Sequence, residues 1–259
     1  YTILAQTAGE MLGLPVADVA VRLGDSDLPA SAGSGGSFGA GSACSAVVLA
    51  CEDILGELAL RMNAAPEDLS LRDGCVSAGG RSVTLADLVR GEAIVAMGKT
   101  GPGAESKRTS QASHGAHFVE VAVNAVTGET RVRRMLGVFD VGRVLNRKTA
   151  TSQITGGMAW GIAYALSEEG IVDTRTGAFV NPDFGEYHVA VNADIPQLEV
   201  HFIEEVDTSA NPVGAKGVGE LGISGAGAAV ANAIYNATGV RVRDFPVTLD
   251  KLLEGLPAV

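Results

Sequence analysis

Residues 211–227, NPVGAKGVGELGISGAG, set six glycines (Gly214, Gly217, Gly219, Gly222, Gly225 and Gly227) around one acidic residue, Glu220. Glycine at this density lets the backbone take positive φ and approach another group where a Cβ would intrude. From Ala226 the residues turn small and apolar, AGAAVANAIYNATG, which predicts a closely packed helix ended by Gly239. A carboxylate on such a loop, ahead of a buried helix, is either placed for chemistry or a solvated turn residue. Gly217-Val218-Gly219-Glu220-Leu221-Gly222 also spells GxGxxG. A dinucleotide fingerprint needs a strand before it and a pyrophosphate on the helix amides after it. The preceding SANPVGAK cannot be a central strand and Glu220 would repel a phosphate, so the Rossmann reading fails on context.

The run GAKGVGE, the small-residue helix with NATG, and RVRDFPVTLDK at residues 241–251 together resemble the C-terminus of molybdenum hydroxylase large subunits. This is the xanthine dehydrogenase and aldehyde oxidoreductase family, and its bacterial members that bind molybdopterin cytosine dinucleotide look the most similar. Residues 140–170, DVGRVLNRKTATSQITGGMAWGIAYALSEEG, resemble the family's DxGxxxNP…QxxGG segment, with Arg147 in place of the proline after Asn146. The whole chain resembles the C-terminal third or so of such a subunit.

The resemblance implies an α+β fold of the molybdopterin-binding type, divided into two α+β subdomains at residues 1–108 and 109–259. It makes Glu220 the base at molybdenum. It gives cofactor contacts to Gly36, Ser37, Phe38, Gly39 and Ser42 in a GGS-type loop, to Gln153, and to Lys216, Gly217, Val218 and Gly219. No protein side chain need ligate the metal, because the pterin dithiolene does so. The implied partners are an N-terminal remainder of the same subunit, an iron–sulfur subunit carrying [2Fe-2S], a FAD subunit and a small-molecule substrate. The implied reaction oxidises an aldehyde to a carboxylic acid with water as the oxygen source. Hydroxylation of a purine or other N-heterocycle, or a non-catalytic scaffold role, stand as alternatives.

The residues taken by themselves support parts of this and leave others open. Residues 24–42, GDSDLPASAGSGGSFGAGS, lack apolar periodicity and read as a long loop, followed by an apolar helix at 43–62. Long loops within ordered domains tend to be functional. Residues 35–42 would then sit at a helix N-terminus, where N–H groups and hydroxyls can hold a phosphate or pterin oxygen; a mobile Ser/Gly linker is the other reading. Gly35-Gly36-Ser37-Phe38-Gly39 is also a literal GxSxG, but a hydrolase elbow needs a hydrophobic strand running into it, and PASAGS precedes it. Gly98-Lys99-Thr100 resembles a P-loop ending, yet the first glycine of that motif would fall on Ala93. Gln153 can both give and accept hydrogen bonds, which suits pterin recognition, or it packs between helices.

A formal net charge of −11 argues against nucleic acid or anionic membrane as a partner. Hydrophobic residues at 46% and charged residues at 19% indicate a folded globular chain. No apolar run approaches the roughly 20 residues of a membrane span. The chain starts at Tyr1 inside a predicted helix, which suggests a fragment or a processed chain. Cys44, Cys51 and Cys75 form no CxxC pair and give no zinc or iron–sulfur signature. Cys44 and Cys51 share a helix face and read as core. A reducing, cytoplasmic compartment is expected, with the periplasm open through co-export.

Along the chain, helices are expected at Thr2–Leu12 and at 84–90 (capped by Thr84), with a short strand at 19–23. Asp73-Gly74 predicts a hairpin between 69–71 and 75–77, and Thr127-Gly128 another between 118–123 and 131–139. Residues 98–113 read as a polar surface loop. His114 and His117 enter the second hairpin on opposite faces and read as structural. Arg131, Arg133 and Arg134 read as its solvated side. Further strand and loop are expected at 181–190 and 197–204, and a short helix capped by Thr248 closes the chain. Separated hairpins and helices, without regular βαβ alternation, indicate α+β.

Overall fold

Helix α1 (Thr2–Leu12) stops where its sequence says it should: Gly13 takes φ 62° and its N–H bonds to the Gly9 carbonyl. A computed structural model of the chain supplies this and all the geometry below, and describes every residue except Ser34, Glu204, Ala258 and Val259. The chain divides into two compact units, each assembled from three segments. Unit 1 comprises Tyr1–Ala112, Gly142–Asn146 and Glu204–Gly217; unit 2 comprises Ser113–Val141, Arg147–Ile203 and Val218–Val259. The sequence suggested a single cut after residue 108 instead. Its local signals do not reveal that 142–146 and 204–217 pair with each other, through a Gly142–Ala215 bridge and a 2.7 Å bond from the Arg143 N–H to the Gly214 carbonyl.

In unit 1, α2 (Gly39–Met62) begins earlier than the apolar pattern at 43 indicates. Its Gly-Ala-Gly-Ser first turn has poor intrinsic propensity, so tertiary contact decides. A Cβ on Gly41 would lie 3.0 Å from the Asn211 Nδ2, which shows how closely that turn is packed. One face of α2 buries Cys44 and Val48 with Val213 and Ala215. Farther along, Leu58 and Met62 pack on Val76 and Ala78. Burial raises the pKa of the Cys44 and Cys51 thiols, as befits core residues.

Val76 and Ala78 belong to an antiparallel sheet of β1 (Ser70–Arg72), β2 (Cys75–Ala78) and β3 (Arg81–Thr84). Asp73 and Gly74, at φ 50° and 74°, make the expected tight turn. The third strand was not foreseen; Gly79 and Gly80, at φ 55° and 80°, turn the chain a second time. Thr84 caps α3 (Leu85–Leu88) by accepting the Asp87 N–H at 3.0 Å. The expected strand at 19–23 is not one: those residues belong to no strand, and alternation alone does not make a ladder. Residues 98–113 carry only a 3₁₀ turn at Ala104–Lys107.

In unit 2, β4 (His114–Val123) and β5 (Thr130–Asp140) form the predicted hairpin, with Gly128 at φ 76°. A bulge at Glu120/Val121 leaves Arg133 as the extra residue, so Arg131, Arg133 and Arg134 are all exposed. Helix α4 (Arg147–Leu166) follows, and its first residue takes the place of the family's proline; the Arg147 guanidinium lies over the Phe202 ring, 5.7 Å from its centroid. Next come the two-residue strands β6 (Val172–Asp173) and β7 (Ala178–Phe179), and then β8 (Gln197–Phe202), which pairs in parallel with β5. Residues 181–190 hold no strand, and the end of the expected 197–204 segment, Glu204, lies outside the described residues.

One-turn helix α5 (Leu221–Ser224) packs on α4, while α6 (Ala226–Thr238) covers β4 and α4 and ends at Gly239, φ 75°. The closing α7 (Asp250–Leu253) takes Leu249 as its N-cap, one residue later than expected, although Thr248 still hydrogen-bonds Asp250. The architecture is α+β. Among the described residues no helix is long and apolar enough to cross a membrane.

Candidate cofactor and active site

One group of candidate residues lies in unit 1. The Phe38 N–H donates to the Gly35 carbonyl at 3.2 Å, closing a turn whose central residues Gly36 and Ser37 have φ 49° and 56°. Two consecutive left-handed residues make this a type I′ turn. Among the described residues no strand leads into it, so the GxSxG spelling lacks the architecture of a hydrolase elbow. A Cβ on Gly39 would meet nothing within 4 Å, and one on Gly36 would meet only the Phe38 ring at 3.8 Å. The turn and the N-terminal amides of α2, with Ser42 half-buried beside them, are therefore accessible on their outer side.

Gly217 is brought onto this turn. A Cβ there would stand 2.9 Å from the Ser37 Cβ and 3.2 Å from the Ser37 carbonyl oxygen. The preceding residue, Lys216, is almost covered, with its side chain 10% exposed and its ammonium 3.8 Å from the Asp207 carboxylate. Asn211 supports the segment, donating its amide to the Ala215 carbonyl at 2.6 Å and accepting the Ala215 N–H at 3.3 Å. Neither Asp207 nor Asn211 stood out in the sequence; an asparagine ahead of a proline was the one available signal.

A separate group of candidate residues lies in unit 2. Gln153, on an exposed stretch of α4, donates to the Gly219 carbonyl at 2.6 Å. Glu220 is exposed and forms the N-cap of α5. Its carbonyl accepts from the Ile223 and Ser224 N–H groups, each at 3.3 Å, and from the Ser224 hydroxyl at 2.9 Å. Helix α5 is seated by missing side chains. A Cβ on Gly222 would be 2.4 Å from the Ile154 carbonyl oxygen, and one on Gly157 would be 2.8 Å from the Ile223 nitrogen. Gly156, its neighbour in the predicted pair, faces open space. GVGELG thus runs into a four-residue helix with no strand ahead of it, which disposes of the dinucleotide fingerprint.

On the β4 side, the His117 ring packs edge-on to Phe139, with centroids 5.1 Å apart. It also lies where a Cβ on Gly225 would come within 2.7 Å of Cδ2. Burial lowers its pKa, against a hydrogen bond to the Leu221 backbone that favours the protonated ring. His114 points the other way, its Nδ1 3.4 Å from the Asp140 carboxylate.

The family described as "Molybdopterin cofactor-binding domain" matches residues 1–196. The chain belongs to that family. Across its full length this chain is 52% identical to the aldehyde oxidoreductase molybdenum-binding subunit PaoC of Escherichia coli K12. It is 33% identical to the xanthine dehydrogenase molybdenum-binding subunit of E. coli O157:H7, over 98% of the chain. In each case it covers 35% of the relative, so it spans about a third of the length of the curated relatives it matches. Among solved structures, quinoline 2-oxidoreductase from Pseudomonas putida 86 superposes with a TM-score of 0.82 at 27% identity, covering 99% of this chain and 35% of that one.

The residues present fit a molybdopterin. Accessible N-terminal amides on α2 and the hydroxyls of Ser37 and Ser42 are donors for a group rich in phosphate and carbonyl oxygens. The positive φ at Gly36 and the bare surface over Gly39 give such a group room to approach the backbone.

Proposed function

We propose that this chain is part of the catalytic subunit of a molybdenum-dependent oxidoreductase, and that Glu220 is its general base. The observation that carries the reading is the seating of Glu220: an exposed carboxylate on the cap of a helix fixed by backbone contact with α4. A solvated turn has no need of such a seat. In this reading the cofactor contacts are Gly36, Ser37, Phe38, Gly39, Ser42, Gln153, Lys216, Gly217, Val218 and Gly219. The cofactor is taken as the cytosine dinucleotide form.

Bound, it supplies a two-electron acceptor and an activated oxygen derived from water. Glu220 would accept the proton that this oxidation releases. Gln153 holds the Gly219 carbonyl, and so the residue ahead of the base, at a fixed height on α4. Glu220 is exposed on this chain, so its carboxylate can be reached by a substrate.

An aldehyde substrate is favoured, because the relative at 52% identity is named an aldehyde oxidoreductase. A nitrogen heterocycle is the second reading, suggested by the xanthine and quinoline enzymes. Electrons would leave through a [2Fe-2S] subunit and a FAD subunit, consistent with relatives named as molybdenum-binding subunits. The cytoplasm is the proposed compartment.

The test is Glu220→Gln in the intact complex, which keeps the shape of the side chain and removes the proton acceptor. Substrate-dependent reduction of the metal in a single turnover, normalised to bound molybdenum, should slow by about 10²–10⁴-fold. A near-normal rate would remove Glu220 from the chemistry.

A further inference from the structure

We propose that residues 93–98 accept a β-strand from the part of the molybdenum-binding subunit that lies outside this chain. The proposal stands apart from the reading of Glu220 as the base. Ala93-Ile94-Val95-Ala96-Met97 is an unbroken apolar run between Glu92 and Gly98, the pattern of a strand covered on both faces. One face is covered within unit 1. Ile94 packs on the cluster of Leu58, Met62, Val76 and Ala78. Farther on, a Cβ on Gly98 would overlap the Ala46 carbonyl oxygen and lie 2.8 Å from the Ala50 nitrogen. From Leu58 back to Ala50 the helix rises about 12 Å, and from Ile94 to Gly98 an extended chain covers about 13 Å, which fits a stretched path along α2. Exposure alternates to match: Ile94, Ala96 and Gly98 are half-buried, while Ala93, Val95 and Met97 are exposed.

The other face and the backbone are open. Val95 is 90% and Met97 73% exposed. Among the described residues, no backbone N–H or carbonyl of 93–98 makes a hydrogen bond. Exposed edges of this kind are ordinarily guarded by lysine, proline or a bulge, and 93–98 has neither lysine nor proline. A helix or loop laid over Val95 and Met97 would bury the adjoining backbone groups unpaired, which is costly. A strand laid alongside supplies those partners, and its own side chains pack across against Val95 and Met97. The source of that strand follows from length and chemistry. The chain covers 35% of the relative PaoC, so most of such a subunit lies outside it. An uncharged, apolar edge suits a permanent contact within one polypeptide, whereas separable partners meet through more polar surface.

The experiment uses the intact molybdenum-loaded complex. Hydrogen exchange read amide by amide should show every second N–H of 93–98 slowed by about 100-fold or more relative to unstructured chain, because a strand paired along one edge bonds alternate residues. Exchange at unstructured rates overturns the proposal, as does equal slowing of all these amides, the mark of burial without pairing. A photo-crosslinking benzoylphenylalanine in place of Val95, or of Met97, then identifies the neighbour. It should join this segment to a peptide of the same subunit from outside residues 1–259, leaving the subunit's mass unchanged. A cross-link to another subunit, to a second copy or to a peptide within 1–259 overturns the proposed source, and so does the absence of any cross-link. Met97→Asp should lower the yield of assembled complex by about tenfold or more, since it sets an unpaired charge against the incoming strand. An unchanged yield overturns the proposal. Should the cross-linking variants fail to assemble, the exchange pattern of the unsubstituted complex still decides whether the edge is paired.

Discussion

Gln153 donates its side-chain amide to the carbonyl oxygen of Gly219 at 2.6 Å. This short bond ties the residue before Glu220 to the exposed face of α4. It makes Gln153 a support of the Glu220 loop in addition to the cofactor contact proposed for it. Gln153→Leu should therefore do two things: lower molybdenum content, and slow the turnover of what molybdenum remains by about tenfold, the cost of one lost positioning bond of about 1.4 kcal/mol. Metal analysis and a single-turnover assay normalised to it separate the two. A full complement of molybdenum would limit Gln153 to loop support.

Gly222→Ala tests the seat of α5. Its Cβ would fall 2.4 Å from the Ile154 carbonyl oxygen, a backbone atom that cannot rotate away. Relief requires α5 to lift from α4, at a cost of about 1–3 kcal/mol typical of overpacking. Denaturant midpoints would register that loss, and turnover should fall with it because Glu220 moves too. Gly156→Ala, with nothing within 4 Å of its Cβ, is the control that should leave stability unchanged.

Gly36→Val addresses the cofactor turn. No neighbour in the chain blocks a side chain there, but φ is 49°, where a β-branched residue is strained. The variant should keep its fold, since the turn buries little apolar surface, yet assemble with depleted molybdenum. Full occupancy would argue against contact between this turn and the cofactor.

The pH dependence of stability follows from His117. Its folded pKa lies below its ordinary value of 6.5, so below 6.5 the unfolded chain takes up a proton that the folded chain resists. The stability held by neutral His117 is thus complete above 6.5 and declines as pH falls from there to the lowered folded value. Phe139, Leu221 and Gly225, which press on the ring, bring no titratable side chain, and Asp140 faces His114. Urea unfolding of wild type and His117→Gln across this range should show their difference shrinking towards acid. A difference that stays flat with pH would mean the ring does not titrate with folding.

Local signals were legible, and non-local ones were not. Gly13 and Gly239 end their helices because a left-handed cap is written in one residue. The Asp73-Gly74 turn is likewise self-contained. The early start of α2 depends on Asn211, far along the chain, which no window around residue 39 contains. Residues 19–23 show the converse: a strand-like pattern without a partner strand. Among the candidate site residues, Glu220 and Gln153 were singled out by their motifs, and the structure joins their segments through the Gln153–Gly219 bond. His117 was correctly set on the face opposite His114, but its contact with α5 depends on a helix that docks from a hundred residues away. Lys216 was read as a cofactor contact, and its pairing with Asp207 was invisible for the same reason.

The joint between α4 and α5 is made at Gly157 and Gly222 without a side chain between the two backbones. Such a joint has no rotamers to redistribute, so it contributes little blur to the position of the carboxylate it carries. It also offers selection nothing to trim or extend, because every available replacement is larger. Any adjustment of the surroundings of Glu220 must therefore come from neighbouring side chains, because the ledge beneath it has none to change.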